Sequence, residues 1–293
     1  MRDVAAFLMR SLWIAVLAAA FFGVLALRMP PFAILSGAVV ALAALSRGGS
    51  TGLIVAAGAG LLVGGAWLLL PERPGLAFPL VYAVWPPLLV AAELLRRNGS
   101  MGRALLAVGL TVAGYDLAMH LAVGDVVSFW HEWLKHAVAA VPGASIEGFA
   151  KNGSIRLMNG FLGVLYGLSL MTALLFGRWL HSLLDHPGDF APEFRRMRLP
   201  RLVLPVWVAV VWAAGWWNPV LLADFFMAGM LMYFFVGLAV IHGVIAARGM
   251  PIAWVVPIYL GLAFFPEGVL VALALAGAVD TFVDFRDQKS PEE

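Results

Sequence analysis

Cysteine is absent from this 293-residue chain, which excludes disulfides, thiolate metal sites and thiol nucleophiles. Charge is scarce as well: only 12% of residues are Asp, Glu, Lys or Arg, and 19 basic against 17 acidic side chains leave a formal charge of +2. With so small an excess and no basic tail, the chain lacks the electrostatic footprint of a nucleic-acid binder. Lysine is confined to Lys135, Lys151 and Lys289, none of them in a G-x-x-x-x-G-K-[ST] loop, so the chain has no P-loop of its own. Two further strings fail on geometry. Gly48-Gly49-Ser50-Thr51-Gly52 fits G-x-S-x-G but joins two apolar helices without a strand-to-helix elbow, and reads as a turn. His131-Glu132-Trp133-Leu134-Lys135-His136 sets its second histidine at i+5, off the helical face that two zinc ligands share. No Gly-x-Gly-Asp string supplies the second acid of an intramembrane aspartyl dyad. The sequence therefore predicts no metal site, no cofactor and no enzyme activity.

What fills the chain is apolar: 62% of residues are hydrophobic and the mean hydropathy is +0.93. Such runs predict an all-α, polytopic membrane helix bundle, a single transmembrane domain over 1–293. Spans are expected at about 11–27, 32–46, 53–70, 76–95, 104–123, 155–177, 202–217 and 219–247. The last apolar stretch, 252–283, is interrupted at Phe265-Pro266-Glu267-Gly268, which favours a tight hairpin of two short helices and brings the count to eight to ten. The first segment follows Arg2 and Arg10 and is read as a retained signal anchor. The fourth span carries Pro79, Pro86 and Pro87, which suit either a broken helix lining a site or, as the favoured reading, the ordinary tolerance of membrane helices for proline. A cytoplasmic N-terminus leaves only Arg28, Arg73, Lys135, Lys151 and Arg156 outside and the other fourteen of nineteen basic residues inside, the arrangement the positive-inside rule favours.

Against that apolar background the carboxylates at Glu93, Asp116, Asp224, Glu267 and Asp280 are the most informative residues. A charge at membrane depth costs about 2.5 to 3.5 kcal/mol on insertion scales and faces a cavity, a partner or a substrate path. Asp116 lies about 18 Å from the inner end of its span, with Tyr115 adjacent and His120 one turn further out. Asp224 sits just inside the outer end of 219–247, and Glu267 at the outer tip of the hairpin. Tyr115, Asp116, His120, Asp224 and Glu267 are expected to line an outward-facing pocket for a small polar ligand or for protons, with Asp116 and His120 tuning each other. The competing reading is that Asp116 and His120 merely satisfy one another and that Asp224 and Glu267 reach interfacial water. Glu93 is explained by Arg96 and Arg97 at i+3 and i+4. Asp280 and Asp284 share a face beside Arg286, and His242 reads as hydrogen-bonded packing.

Two longer connections complete the layout. In 124–154, Phe129, Trp130, Trp133, Leu134, Ala137, Val138 and Val141 form one face of a helix predicted to lie in the outer interface, as an aromatic anchor or as a lid. The 178–201 loop carries Arg178, Arg195, Arg196 and Arg198, suited to anionic lipid or a partner protein. Asn98-Gly99-Ser100 and Asn152-Gly153-Ser154 are glycosylation strings without a defined host. Small residues spaced four apart, including Ala15, Ala19 and Gly23, permit close helix contact.

The stretch Phe176-Gly177-Arg178-Trp179, His186-Pro187-Gly188-Asp189-Phe190 and Glu193-Phe194-Arg195, with the ending Gly277-Ala278-Val279-Asp280-Thr281-Phe282-Val283-Asp284-Phe285-Arg286, resembles the YybS-like family of bacterial membrane proteins. That family is distantly similar to the S components of energy-coupling-factor vitamin transporters. The resemblance implies an inner-membrane subunit that binds a small molecule near its outer face. It further implies that Ala15, Ala19 and Gly23 meet a transmembrane coupling subunit served by ATPases. A non-enzymatic scaffold recruiting partners through the basic loop is the alternative, and an intramembrane enzyme the third.

Overall fold

The computed structural model describes residues 1–70, 78–139, 153–283 and 285–286. Arg73, Val141, Lys151, Asn152, Asp284 and Lys289, and most of the 140–154 connection, lie outside the described residues. Among those described, the chain is all helix, in the order α1 (Arg2–Leu8), α2 (Leu12–Leu25), α3 (Phe32–Arg47), α4 (Gly49–Leu68), α5 (Val81–Asn98), α6 (Met101–Val123), α7 (Val126–Ala139), α8 (Ser154–Asp185), α9 (Phe190–Arg195), α10 (Val203–Trp217), α11 (Pro219–Ala247), α12 (Val256–Phe264) and α13 (Pro266–Asp280). A 3₁₀ turn over Ile252–Val255 precedes α12. Four helices, α4, α6, α8 and α11, are long and apolar enough to cross a membrane, and the pair α1 and α2, bent by 106°, gives a fifth if the two are counted as one span. The shorter apolar helices are α3, α10 and the 252–264 segment.

Helix boundaries follow local chemistry. Ser11 caps α2 by accepting from the Ile14 N–H at 3.2 Å, and the chain turns there by 106° from α1. Gly48, at φ +97°, links α3 to α4 in a conformation that L side chains resist. Asn218 caps α11 by accepting from Val220 and Leu221, with Pro219 at the first helical position where its missing N–H costs nothing. Pro86 and Pro87 lie inside α5, which runs through them as one helix, in line with the reading that membrane helices tolerate proline. At Phe265 the chain does break, and the bend brings Val269 to 2.9 Å from a Cβ built on Gly261. Eight residues of straight helix would separate those positions by about 12 Å.

The core centres on α3, whose residues Ala38–Leu45 are all buried between α2, α4, α5 and α8. Helix α8 bridges this half to a second one built on α11, which packs against α6, α8, α10 and α13. Small residues set the approach: a Cβ on Gly237 would lie 1.9 Å from the Leu273 carbonyl oxygen, and one on Gly277 2.2 Å from that of Tyr233. Side-chain bonds across helices add to this, with Ser36 donating to the Ala19 carbonyl at 2.7 Å and Tyr166 to that of Ala83 at 2.6 Å.

One expectation is corrected by this packing. Ala15, Ala19 and Gly23 are buried inside the bundle, and a Cβ on Gly23 would meet Val63 at 2.7 Å. Their small size serves the contact of α2 with α3 and α4, so they are not a surface for a coupling subunit. The outward face of α2 is Trp13, Leu17 and Phe21.

Candidate functional site

Three long helices bring their polar residues together where the sequence is otherwise apolar. Asp116 and His120 project from α6, Asp224 from the first turns of α11, and Asn159 from the start of α8. Asp116 and Asp224 have no exposed surface, Asn159 has 1% and His120 8%. The Asn159 amide nitrogen donates to both acids, at 3.3 Å to Asp116 Oδ1 and 2.8 Å to Asp224 Oδ2. His120 Nε2 lies 2.8 Å from Asp224 Oδ2, and Asn218 Nδ2 lies 3.5 Å from His120 Nδ1. The other oxygens, Asp116 Oδ2 and Asp224 Oδ1, are buried without a hydrogen-bond partner among the described residues.

Above this cluster sits α7. Its N-terminus is fixed by Asp125, whose carboxylate accepts from the backbone N–H groups of Val127 and Ser128 at 3.1 Å and from the Ser128 hydroxyl at 2.6 Å. Those bonds, the hydroxyl's first, hold the Asp125 carboxyl below the usual aspartate range. From α7 the Trp130 indole donates to Asn159 Oδ1 at 3.3 Å, and Phe129 and Trp133 pack edge-on against Trp130. The aromatic face predicted for this helix thus touches the amide that bridges the two acids.

Glycine makes the cluster tight. A Cβ on Gly160 would stand 2.8 Å from Asp224 Oδ1, and one on Gly163 2.8 Å from Asp116 Oδ1, so α8 meets both acids with bare backbone. In the closed arrangement not even a methyl group fits between α8 and either carboxyl at those points.

The five predicted ligand residues therefore divide. Asp116, His120 and Asp224 converge. His120 pairs across to Asp224 on another helix, correcting the expected pairing with Asp116 on its own. Tyr115 is half-buried and meets Tyr166 edge-on at a ring separation of 6.2 Å, outside the hydrogen-bond network. Glu267 lies exposed in the first turn of α13, with no bond to the cluster. Sequence reasoning missed Asn159, Asn218 and the role of Trp130. The signal for Asn159 was present, since it is the sole carboxamide in the 155–177 run.

The opposite end carries the basic 178–201 segment, which is not the expected loop throughout: α8 extends over it to Asp185 and α9 takes Phe190–Arg195. Arg178 contacts Glu193 at 2.6 Å, both largely shielded, and burial raises the Glu193 carboxyl even though Arg178 pulls it down. Asp280, buried, pairs with Arg286 and lies 3.4 Å from Arg198, and Arg286 also donates to the carbonyls of Arg195 and Met197. Much of the strip is thus neutralised within the chain, with Arg196 exposed beside a cleft of about 510 Å³. Glu93 pairs with Arg96 at 2.8 Å and Arg97 at 2.5 Å, and His242 Nδ1 bonds the Leu238 carbonyl at 2.8 Å. Among the described residues no group of three His, Asp or Glu side chains is placed to hold a metal ion. Compared with known proteins, the chain matches no family model, no curated sequence and no solved structure.

Proposed function

We propose that this chain is a multi-pass protein of the bacterial cytoplasmic membrane, about eight spans with the N-terminus inside, that binds a small polar solute from the outer side as an S-component-like transport subunit. The observation that carries the reading is the polar cluster: two fully buried acids, an imidazole and an amide, contributed by three apolar helices and joined under an amphipathic fourth. Buried ionisable groups in such helices are expensive and mark solute or ion pathways. Two carboxyl oxygens without partners favour a solute that brings hydrogen-bond donors or positive charge, such as an amine or amide. The tight approach of Gly160 and Gly163 makes the present arrangement an occluded one, and Trp130 makes α7 the element that must lift. A coupling subunit, on this reading, meets a face other than Ala15, Ala19 and Gly23.

The test is ligand-dependent thermal stabilisation of the purified protein across a panel of small amine- and amide-bearing solutes. At least one class should raise the melting temperature of the wild type, and Asp116→Asn or Asp224→Asn should abolish the rise. Stabilisation that both variants retain would place binding elsewhere.

A further inference from the structure

The hydrogen bonds of the cluster fix a charge state that the residue types alone leave open. Two amides are locked by neighbours whose roles cannot reverse. The Trp130 indole is only a donor, so Asn159 must turn its oxygen toward it and its NH₂ toward Asp116 and Asp224. Asn218 must turn its oxygen to the backbone N–H groups of Val220 and Leu221, which it caps at 2.8 and 3.4 Å. Its NH₂ therefore faces His120 Nδ1, which has to accept. An imidazole accepting at Nδ1 carries its single hydrogen on Nε2, where it donates to Asp224 at 2.8 Å. His120 is thus neutral, and it does not supply the positive charge that a histidine beside an aspartate suggests.

Among the described residues no other cation fills the gap. On α6 the titratable neighbours are Tyr115 and His120, and α11 contributes only Asp224 over its outer half. On α8, Arg156 is exposed and Tyr166 donates to Ala83. The α10 helix has no titratable residue. Just before α7, Asp125 is engaged by Ser128; on α7, His131, Glu132 and Lys135 pair with one another near its surface, and exposed His136 bonds the Glu132 carbonyl at 2.7 Å. Two carboxyl groups within hydrogen-bond reach of one amide nitrogen, both wholly buried, would hold two negative charges with no countercharge among the described residues. Desolvation and mutual repulsion forbid that state.

We infer that Asp116 and Asp224 together bind a proton in this closed arrangement, making the cluster a proton-carrying site. The contacts favour a proton over a larger cation, because Gly160 and Gly163 leave no volume beside the acids and His120 Nε2 already points at Asp224 instead of into an open coordination position. The exchange balances without another reactant: as α7 lifts and water enters, the carboxyl O–H breaks and a water molecule takes the proton as hydronium, and closure reverses the step. The inference stands whether or not a solute binds here.

Infrared difference spectroscopy of the full-length protein in phospholipid vesicles tests it. At neutral pH and without sodium, the wild type should show the carbonyl stretch of a protonated carboxyl group, lost in the Asp116→Asn plus Asp224→Asn double variant and kept in Glu193→Gln. Should the double variant fail to fold, the acid-minus-alkaline spectrum of Glu193→Gln alone still reads the band. Ionised carboxylate bands only, at neutral pH, would overturn the inference. So would a protonated band that sodium converts to carboxylate, since the resident ion would then be a metal.

Discussion

Replacing Asn159 is the sharpest perturbation of this protein, because one side chain there makes three bonds that join four helices: to Trp130 of α7, Asp116 of α6 and Asp224 of α11. Interhelical hydrogen bonds within membranes are worth about 0.6 kcal/mol on average and about 1.7 at most. Three such bonds give about 2 to 5 kcal/mol, the upper end applying because two acceptors are buried acids left with fewer partners. Equilibrium unfolding in mixed detergent micelles should register this loss for both Asn159→Ala and Asn159→Leu. The pair separates causes, since leucine keeps the branched heavy-atom skeleton and leaves no cavity while removing the bonds. Ser169→Ala, at an exposed hydroxyl bonded within its own helix, serves as the control. A change below about 0.5 kcal/mol in the leucine variant would refute the claim that this amide ties the helices together, even if alanine destabilised through its cavity.

Two other outcomes follow from different parts of the molecule. The Asp125 carboxyl is held below its ordinary range, so its stabilisation of α7 is full above the unfolded value of about 4 and is lost as pH falls through the lower folded value. Tryptophan emission should therefore report a loosened α7 only on strong acidification, and Asp125→Ala should show that loosened signal already at neutral pH. An unchanged spectrum in the variant would contradict the capping role. At Gly277, a valine would press into the Tyr233 backbone carbonyl, which no rotamer change relieves. Thermal melts of Gly277→Val should show destabilisation of about 1 to 3 kcal/mol. Wild-type stability would mean that α11 and α13 are not in close contact.

The parts of this structure that sequence conveys best are those carried by composition over many residues. Apolar runs placed α6 and α11 within a few residues and the start of α8 within one, because a helix of that length and hydropathy has few alternatives, but α8 continues past the expected end at 177 to Asp185. Depth along those runs also set Asp116 and Asp224 near a common level. Pairing was less legible. The spacing of His120 four residues after Asp116 suggested a contact along one helix, yet α6 turns the imidazole toward Asp224, 104 residues away, where a buried acid needs a donor. Asn159 went unnoticed since a single amide in an apolar run looks like packing until its neighbours are known. The small residues Ala15, Ala19 and Gly23 announced a close helix contact correctly but not its partner, which is internal. Glu267 shared the expected level and still faces outward, because an N-terminal helical turn after Pro266 needs no buried partner for an acid. The separate α1 was missed although Ser11, before an apolar run, has the residue type of a helix cap.

The absence of native cysteine makes one measurement decisive for the central claim, that the acids lie in an outward-facing site closed by α7. A single cysteine in place of Asp224, introduced alone and together with Trp130→Ala, is exposed to a membrane-impermeant maleimide from either side of oriented vesicles. The account predicts protection from both sides in the first protein and labelling from the outer side only in the second. Labelling from the cytoplasmic side, or protection that persists after the indole is removed, would contradict it.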